Sequence, residues 1–222
     1  MFSIQKSWWK ILGVVLTAYA LIGGLLMEVP RLAILNETIR NLYYHVTMWF
    51  GMMILLLGSL IYAILYLSTQ NEKYDIRAEA YAKAGCLFGV LGIITGMVWA
   101  TYTWGEPWSG DPKQNGSAIA LLIYFAYFIL RNSFEDPQQR GRISSVYNIF
   151  AFSAMIPLLF ILPRLTDSMH PGSGGNPGFN YYDLDSKLRM VFYPAIIGWT
   201  LLGVWLASIK IRIQELRLLK DL

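Results

Sequence analysis

The sequence predicts an all-α fold: a polytopic membrane bundle of six transmembrane helices with both termini cytoplasmic. Three observations carry this. Only 14% of the 222 residues are charged, where soluble domains carry about 25%. The apolar residues gather into six runs, most of them long enough to cross a bilayer. The basic residues between those runs are unevenly shared between the two sides. One six-span membrane domain accounts for residues 1–222.

Lys6, Trp8, Trp9 and Lys10 lead into the first run, Ile11 to Val29. It exceeds the apolar core of a signal peptide, about 7–15 residues, and no small-residue cleavage site follows. It reads as an uncleaved span ended by Glu28, Pro30 and Arg31. The second run, Val46 to Leu67, holds no charge. From Gln70 to Lys83 a polar connector alternates Glu72, Lys73, Asp75, Arg77, Glu79 and Lys83, the pattern of a solvated helical face.

The third run, Ala84 to Trp104, carries Gly85, Gly89, Gly92 and Gly96 at spacings of four, three and four. Small residues on one face make a seam for close helix packing in lipid. The fourth, Gly116 to Leu130, covers only about 22 Å of a core about 30 Å thick. It therefore recruits Asn132 to Phe134, or the segment before it dips into the membrane under cover of protein. A second polar connector, Arg131 to Arg142, leads to the fifth run, Ile143 to Leu162, closed by Pro163 and Arg164. In the loop of about 163–189, the stretch His170 to Gly178 is too rich in Gly and Pro for helix or strand. The sixth run, Met190 to Ile209, has Pro194 in its first turn, where a missing N–H costs little.

Lys6, Lys10, Lys73, Arg77, Lys83, Arg131, Arg140, Arg142 and the tail residues Lys210, Arg212, Arg217 and Lys220 fall on one side, twelve of the 18 basic residues. That side is cytoplasmic by the positive-inside rule. The Trp-rich segment of about 99–116 and both histidines then face outward. No basic patch of the kind that binds nucleic acid is present. Cys86 is the only cysteine, which excludes an internal disulfide, a C-x-x-C dithiol and a C-x-x-C-H heme attachment site. No P-loop and no Ser/His/Asp or Cys/His arrangement marks a hydrolytic or nucleotide site.

Chemistry concentrates in Val98 to Lys113, which packs Trp99, Tyr102, Trp104, Trp108, Gly105, Gly110, Pro107 and Pro112 between two apolar runs. Aromatic planes with few charges suit a flat, mostly apolar ligand with an ionised edge, and porphyrin is the candidate. Imidazole is a common axial ligand of heme iron, and His45 and His170 are the only two histidines. Trp104 and Trp108 would form the floor, and Arg40 and Lys113, with Arg164, would meet the propionates. Ordinary roles compete at every position. Trp and Tyr form interfacial belts, His45 can cap a helix, His170 can be a solvated loop residue, and Arg40 and Arg164 can anchor helices at headgroups.

The motif Trp104-Gly105 with Trp108-Ser109-Gly110-Asp111-Pro112-Lys113 resembles the tryptophan-rich signature of the WWD-domain heme-handling membrane proteins of cytochrome c biogenesis. With Arg40-Asn41-Leu42-Tyr43-Tyr44-His45 before the second span and Ser168-Met169-His170-Pro171 in the last outer loop, the layout is similar to the heme exporter protein C family. The resemblance implies that His45 and His170 are axial ligands of heme b and that the Trp loop, with Trp99, Trp104, Trp108, Asp111 and Lys113, cradles the ring. It implies transfer to a periplasmic heme chaperone, ABC-type membrane and ATP-binding subunits as partners, and a bacterial inner membrane location. Gly110 stands where the family has a last Trp, and Gln114-Asn115-Gly116 replaces an acidic-Thr-Trp stretch, so two aromatic planes are missing. Tyr102 and Trp99 are the nearest replacements. A b-type cytochrome electron-transfer subunit and a permease without heme are the competing classes. The permease predicts ionisable residues within spans, which the sequence nearly lacks.

Overall fold

The computed structural model describes residues 4–31, 35–170 and 184–220. Among these, every regular element is helical: α1 (Ile4–Leu26), a 3-10 helix (Asn36–Tyr43), α2 (Val46–Thr69), α3 (Glu72–Trp104), α4 (Pro112–Asn132), α5 (Pro137–Ile156), a π-helical turn (Pro157–Ile161), α6 (Leu162–Leu165) and α7 (Ser186–Lys220). Among the described residues, five helical stretches are long and apolar enough to cross a membrane: Ser7–Leu26, Asn36–Thr69, Glu72–Trp104, Pro137–Leu165 and Ser186–Leu219. The helix α4 is not among them, because its first turn carries Lys113, Gln114 and Asn115 and its last carries Arg131.

Local chemistry sets the helix ends. Asn71 accepts from Lys73 N–H at 3.1 Å to start α3, and Gly105, at φ 88°, ends it in the left-handed region that glycine adopts without strain. Asp111 and Asp136 cap α4 and α5, each followed by a proline whose absent N–H is of no consequence at that position. The fourth run thus lengthens at its N-terminal end, to Pro112, and Phe134 is not needed to complete it. The polar connector expected over Gln70–Lys83 is instead the first three turns of α3, continuous with the span. Pro194 does not sit in a first turn, since α7 begins at Ser186. Inside a helix it leaves the Met190 carbonyl without its N–H partner, and Tyr19 Oη donates to that carbonyl at 3.2 Å from α1. The expected coil over Pro171–Gly178 lies outside the described residues.

The central helix is α2, which packs on α3, α5 and α7, while α1 lies along α7. Lipid offers no hydrophobic force between apolar helices, so close approach of small residues carries the packing. A Cβ added to Gly198 of α7 would lie 2.8 Å from the Thr17 backbone nitrogen of α1. The α3 glycine seam does two jobs. Gly85 and Gly89 admit Leu56 and Leu121 at 2.8 and 2.5 Å from where a Cβ would stand, whereas Gly92 and Gly96 admit Trp49 and His45 at 2.9 and 2.6 Å.

The end of the bundle opposite His45 holds a buried ionic cluster. Arg131 of α4, 3% exposed, binds both carboxylate oxygens of Asp75 and reaches Glu79 at 3.2 Å. Lys83 and Gln214 complete the set on Glu79. These acids, expected on a solvated face, are therefore core residues inside the α3 helix.

Candidate functional site

A cavity of about 580 Å³ opens among the 3-10 helix, α2, α3, the start of α4, the π turn, α6, Met169 and His170, and the start of α7. That volume is in the range of small-molecule and cofactor sites, about 300–1,000 Å³. Its wall is apolar through Leu42, Val46, Phe50, Met53, Ala100, Leu159, Phe160 and Leu188, with His45, Trp49, Trp99, Trp104, Trp108, Lys113, Gln114, Arg164 and His170 placed around it.

His45 stands at the N-cap of α2 but makes no side-chain cap bond. Its Nδ1 lies 2.9 Å from the Gly92 carbonyl of α3. A carbonyl oxygen only accepts, so Nδ1 carries the proton and Nε2 keeps its lone pair. The ring is held edge-on by Trp49 and Trp99, with centroids at 6.2 and 5.8 Å. Asn41 ties the preceding 3-10 helix to α3 by donating to the Thr95 carbonyl at 2.8 Å.

His170 is held by one carboxylate. Asp111, 5% exposed, receives His170 Nδ1 at 2.8 Å, Met169 N–H at 2.8 Å, Ser168 Oγ at 2.9 Å and Lys113 N–H at 2.8 Å. Burial pushes the Asp111 carboxyl up. The opposing hydrogen bond and charge of His170 and the two backbone N–H groups win, holding it well below the usual carboxylate range. Again Nδ1 donates, and again Nε2 has no hydrogen-bond partner among the described residues. Trp104 packs edge-on against this ring at 4.8 Å between centroids.

The remaining candidates divide. Trp99 lines the cavity and donates through Nε1 to Thr38 Oγ1 at 3.2 Å. Trp108 lines it with Nε1 bonded to Asn115 Oδ1 at 3.2 Å. Lys113 and Arg164 are in the wall. Arg40 is not: its guanidinium donates to the Gly24 and Met27 carbonyls at 3.0 and 2.6 Å and to Glu37 at 2.7 Å, so it caps the end of α1. Tyr102, 77% exposed, is not part of the cavity wall, whereas Trp99 is. Gly110 adopts φ 74°, a conformation a bulky residue there would strain to hold.

Sequence reading missed Trp49, although it lies one helical turn from His45 on the same face. It also read Gly92 and Gly96 only as packing residues, whereas one supplies the acceptor for His45 and the other the room for its ring. Two imidazoles, each with Nδ1 on a protein acceptor and with no partner for Nε2 among the described residues, together with indole walls and two cations, form a set that fits a planar iron macrocycle with acidic substituents.

The family model for the cytochrome C assembly protein matches residues 1–170. The chain belongs to the cytochrome c assembly protein family. Across 177 residues it is 22% identical to heme exporter protein C of Escherichia coli (strain K12), covering 80% of this chain and 70% of that one. Heme exporter protein C of Paracoccus denitrificans (strain Pd 1222) is 23% identical over 181 residues, 81% and 74% of the two chains. A shorter match, 42% over 65 residues, links 29% of this chain to 21% of the cytochrome c biogenesis protein CcsA of Synechococcus sp. (strain CC9311). The segment shared with the cytochrome c assembly family ends at His170, so it takes in both histidines and the whole Trp-rich stretch. With its five long apolar helices, this family member is a multi-pass membrane protein.

Proposed function

We propose that this chain holds heme b as cargo at the outer face of a bacterial inner membrane and passes it to a periplasmic heme chaperone during c-type cytochrome biogenesis. His45 and His170 are the axial ligands, Trp99, Trp104 and Trp108 wall the ring, and Lys113 and Arg164 meet the propionates. The single observation that carries the reading is the matched pair of imidazoles on one cavity, each with Nδ1 spent on a protein acceptor and with no partner for Nε2 among the described residues. Heme supplies the reactive group that is later attached elsewhere. This chain's residues bind it, orient it and shield its faces.

The same reading takes α4 as the sixth span, since its 21 residues cover about 32 Å at 1.5 Å per residue, and makes residues 1–222 one unit with both termini cytoplasmic. ABC-type membrane and ATP-binding subunits are the expected partners, reached through the cytoplasmic end where α7 extends. Its 35 residues run about 52 Å, well past a core of about 30 Å.

The test is the heme content and absorption spectrum of detergent-purified chain. Wild type is expected to give a low-spin bis-imidazole spectrum, and His45→Ala and His170→Ala to lose or weaken it. Unchanged heme and spectrum in the double substitution would overturn the assignment.

A further inference from the structure

The carboxylate of Asp111 is absent from the cavity wall, yet it is the point on which two loops converge. It accepts from the first turn of its own helix (Lys113 N–H) and from three consecutive residues of the other loop: Ser168 Oγ, Met169 N–H and His170 Nδ1. An N-cap needs only the first of these bonds. The other three clasp residues 168–170 onto α4 and hold one ring nitrogen of His170.

Building on the heme reading above, we infer that Asp111 is a positioning residue for the iron ligand and does not contact heme itself. A carboxylate accepts only, so it fixes the Nδ1–H tautomer of His170 and aims the Nε2 lone pair toward the cavity. By drawing on the Nδ1 proton it makes Nε2 a stronger donor to iron, the role of the outer carboxylate in carboxylate–histidine–metal triads. The two histidines are thereby unequal. His45 leans on a neutral carbonyl and His170 on an anion, so the His170 side is the more electron-donating.

A capping role and a positioning role separate in the variant Asp111→Asn, because Asn is as good an N-cap as Asp but carries no charge. The experiment titrates hemin into detergent-purified full-length wild type, Asp111→Asn and His170→Ala, reading affinity from the Soret band and the midpoint potential by redox titration. Asp111→Asn is expected to bind hemin about 10–100-fold more weakly, with a more positive potential. Wild-type affinity and potential in Asp111→Asn, with heme lost in His170→Ala, would overturn the positioning role while leaving the ligand assignment intact. Wild-type heme binding in the His45→Ala, His170→Ala double variant would instead sink the ligand assignment, and this inference with it.

A measurement on heme-free wild type guards against a variant that does not fold. With 15N-histidine labelling only His45 and His170 give signals, and His170→Ala assigns them. In its neutral form the His170 ring is expected as the Nδ1–H tautomer with its lone pair on Nε2. An Nε2–H tautomer would overturn the inference.

Discussion

The Arg131 guanidinium grips Asp75 with both terminal nitrogens, at 2.7 and 2.5 Å, across 56 residues of sequence. Its Nε completes the cluster on Glu79. Removing one partner of a buried ionic set leaves an uncompensated charge, which costs roughly 3–5 kcal/mol. Arg131→Met is therefore expected to lower the thermal unfolding midpoint and the yield of folded protein in detergent. Because the cluster lies at the far end of the bundle from His45, whatever protein folds should keep the wild-type heme spectrum. A normal melting curve for Arg131→Met would show that the two carboxylates do not depend on this cation.

Gly96 and Gly89 lie on the same seam but face different neighbours. A methyl at Gly96 would meet His45 Cε1 at 2.6 Å and Nδ1 at 3.0 Å, whereas one at Gly89 would meet Leu121 at 2.5 Å. Overpacking costs typically about 1–3 kcal/mol, so both alanine variants should be destabilised. Only Gly96→Ala should also lose heme, by displacing the imidazole from Gly92 O. Equal heme loss per unit of stability in the two variants would count against a site on this side of α3.

Trp104 and Trp108 both line the cavity, but Trp104 alone packs on His170. An edge-on aromatic pair contributes about 0.5–1.5 kcal/mol beyond area burial. Trp104→Ala is expected to weaken heme retention more than Trp108→Ala, with membrane insertion unaffected in both. Measured off-rates of heme to apomyoglobin would rank them, and the reverse order would place the floor under Trp108.

Arg40 was a candidate for the propionates, yet its donors go to the Gly24 and Met27 carbonyls at the end of α1 and to Glu37. Arg40→Ala should reduce stability without changing hemin affinity. Lys113→Ala or Arg164→Ala should reduce affinity by about 1.5–3 kcal/mol if either meets a carboxylate in a charged hydrogen bond, a loss read by the same Soret titration.

Acid reports on Asp111. Its folded carboxyl titrates well below the unfolded value, so its stabilising contribution is present above about pH 4, the ordinary Asp range. That contribution is lost as pH falls through the depressed folded value. Heme-free wild type should therefore lead Asp111→Ala in unfolding midpoint at neutral and mildly acidic pH, and the lead should shrink only below about 4. A gap that closed between pH 8 and 6 would point to a different group.

Hydropathy alone marks most of the helices in this chain, and the two histidines stand out because their type is scarce, while Trp99, Trp104 and Trp108 stand out because they crowd one short segment and Trp49, inside an apolar run, does not. The acids of the Glu72–Lys83 stretch read as solvated, because a charged helix face looks the same in sequence whether water or Arg131 satisfies it. The interior Pro194 is tolerated because Tyr19, 175 residues earlier, supplies the missing donor. Composition and periodicity are local properties, and they suffice for an apolar helix whose partner is any lipid. Which nitrogen of His45 or His170 is left for a ligand depends on a Gly92 carbonyl and an Asp111 carboxylate brought across the bundle. Hydrogen-bond geometry at such distances in sequence exists only once the chain has packed.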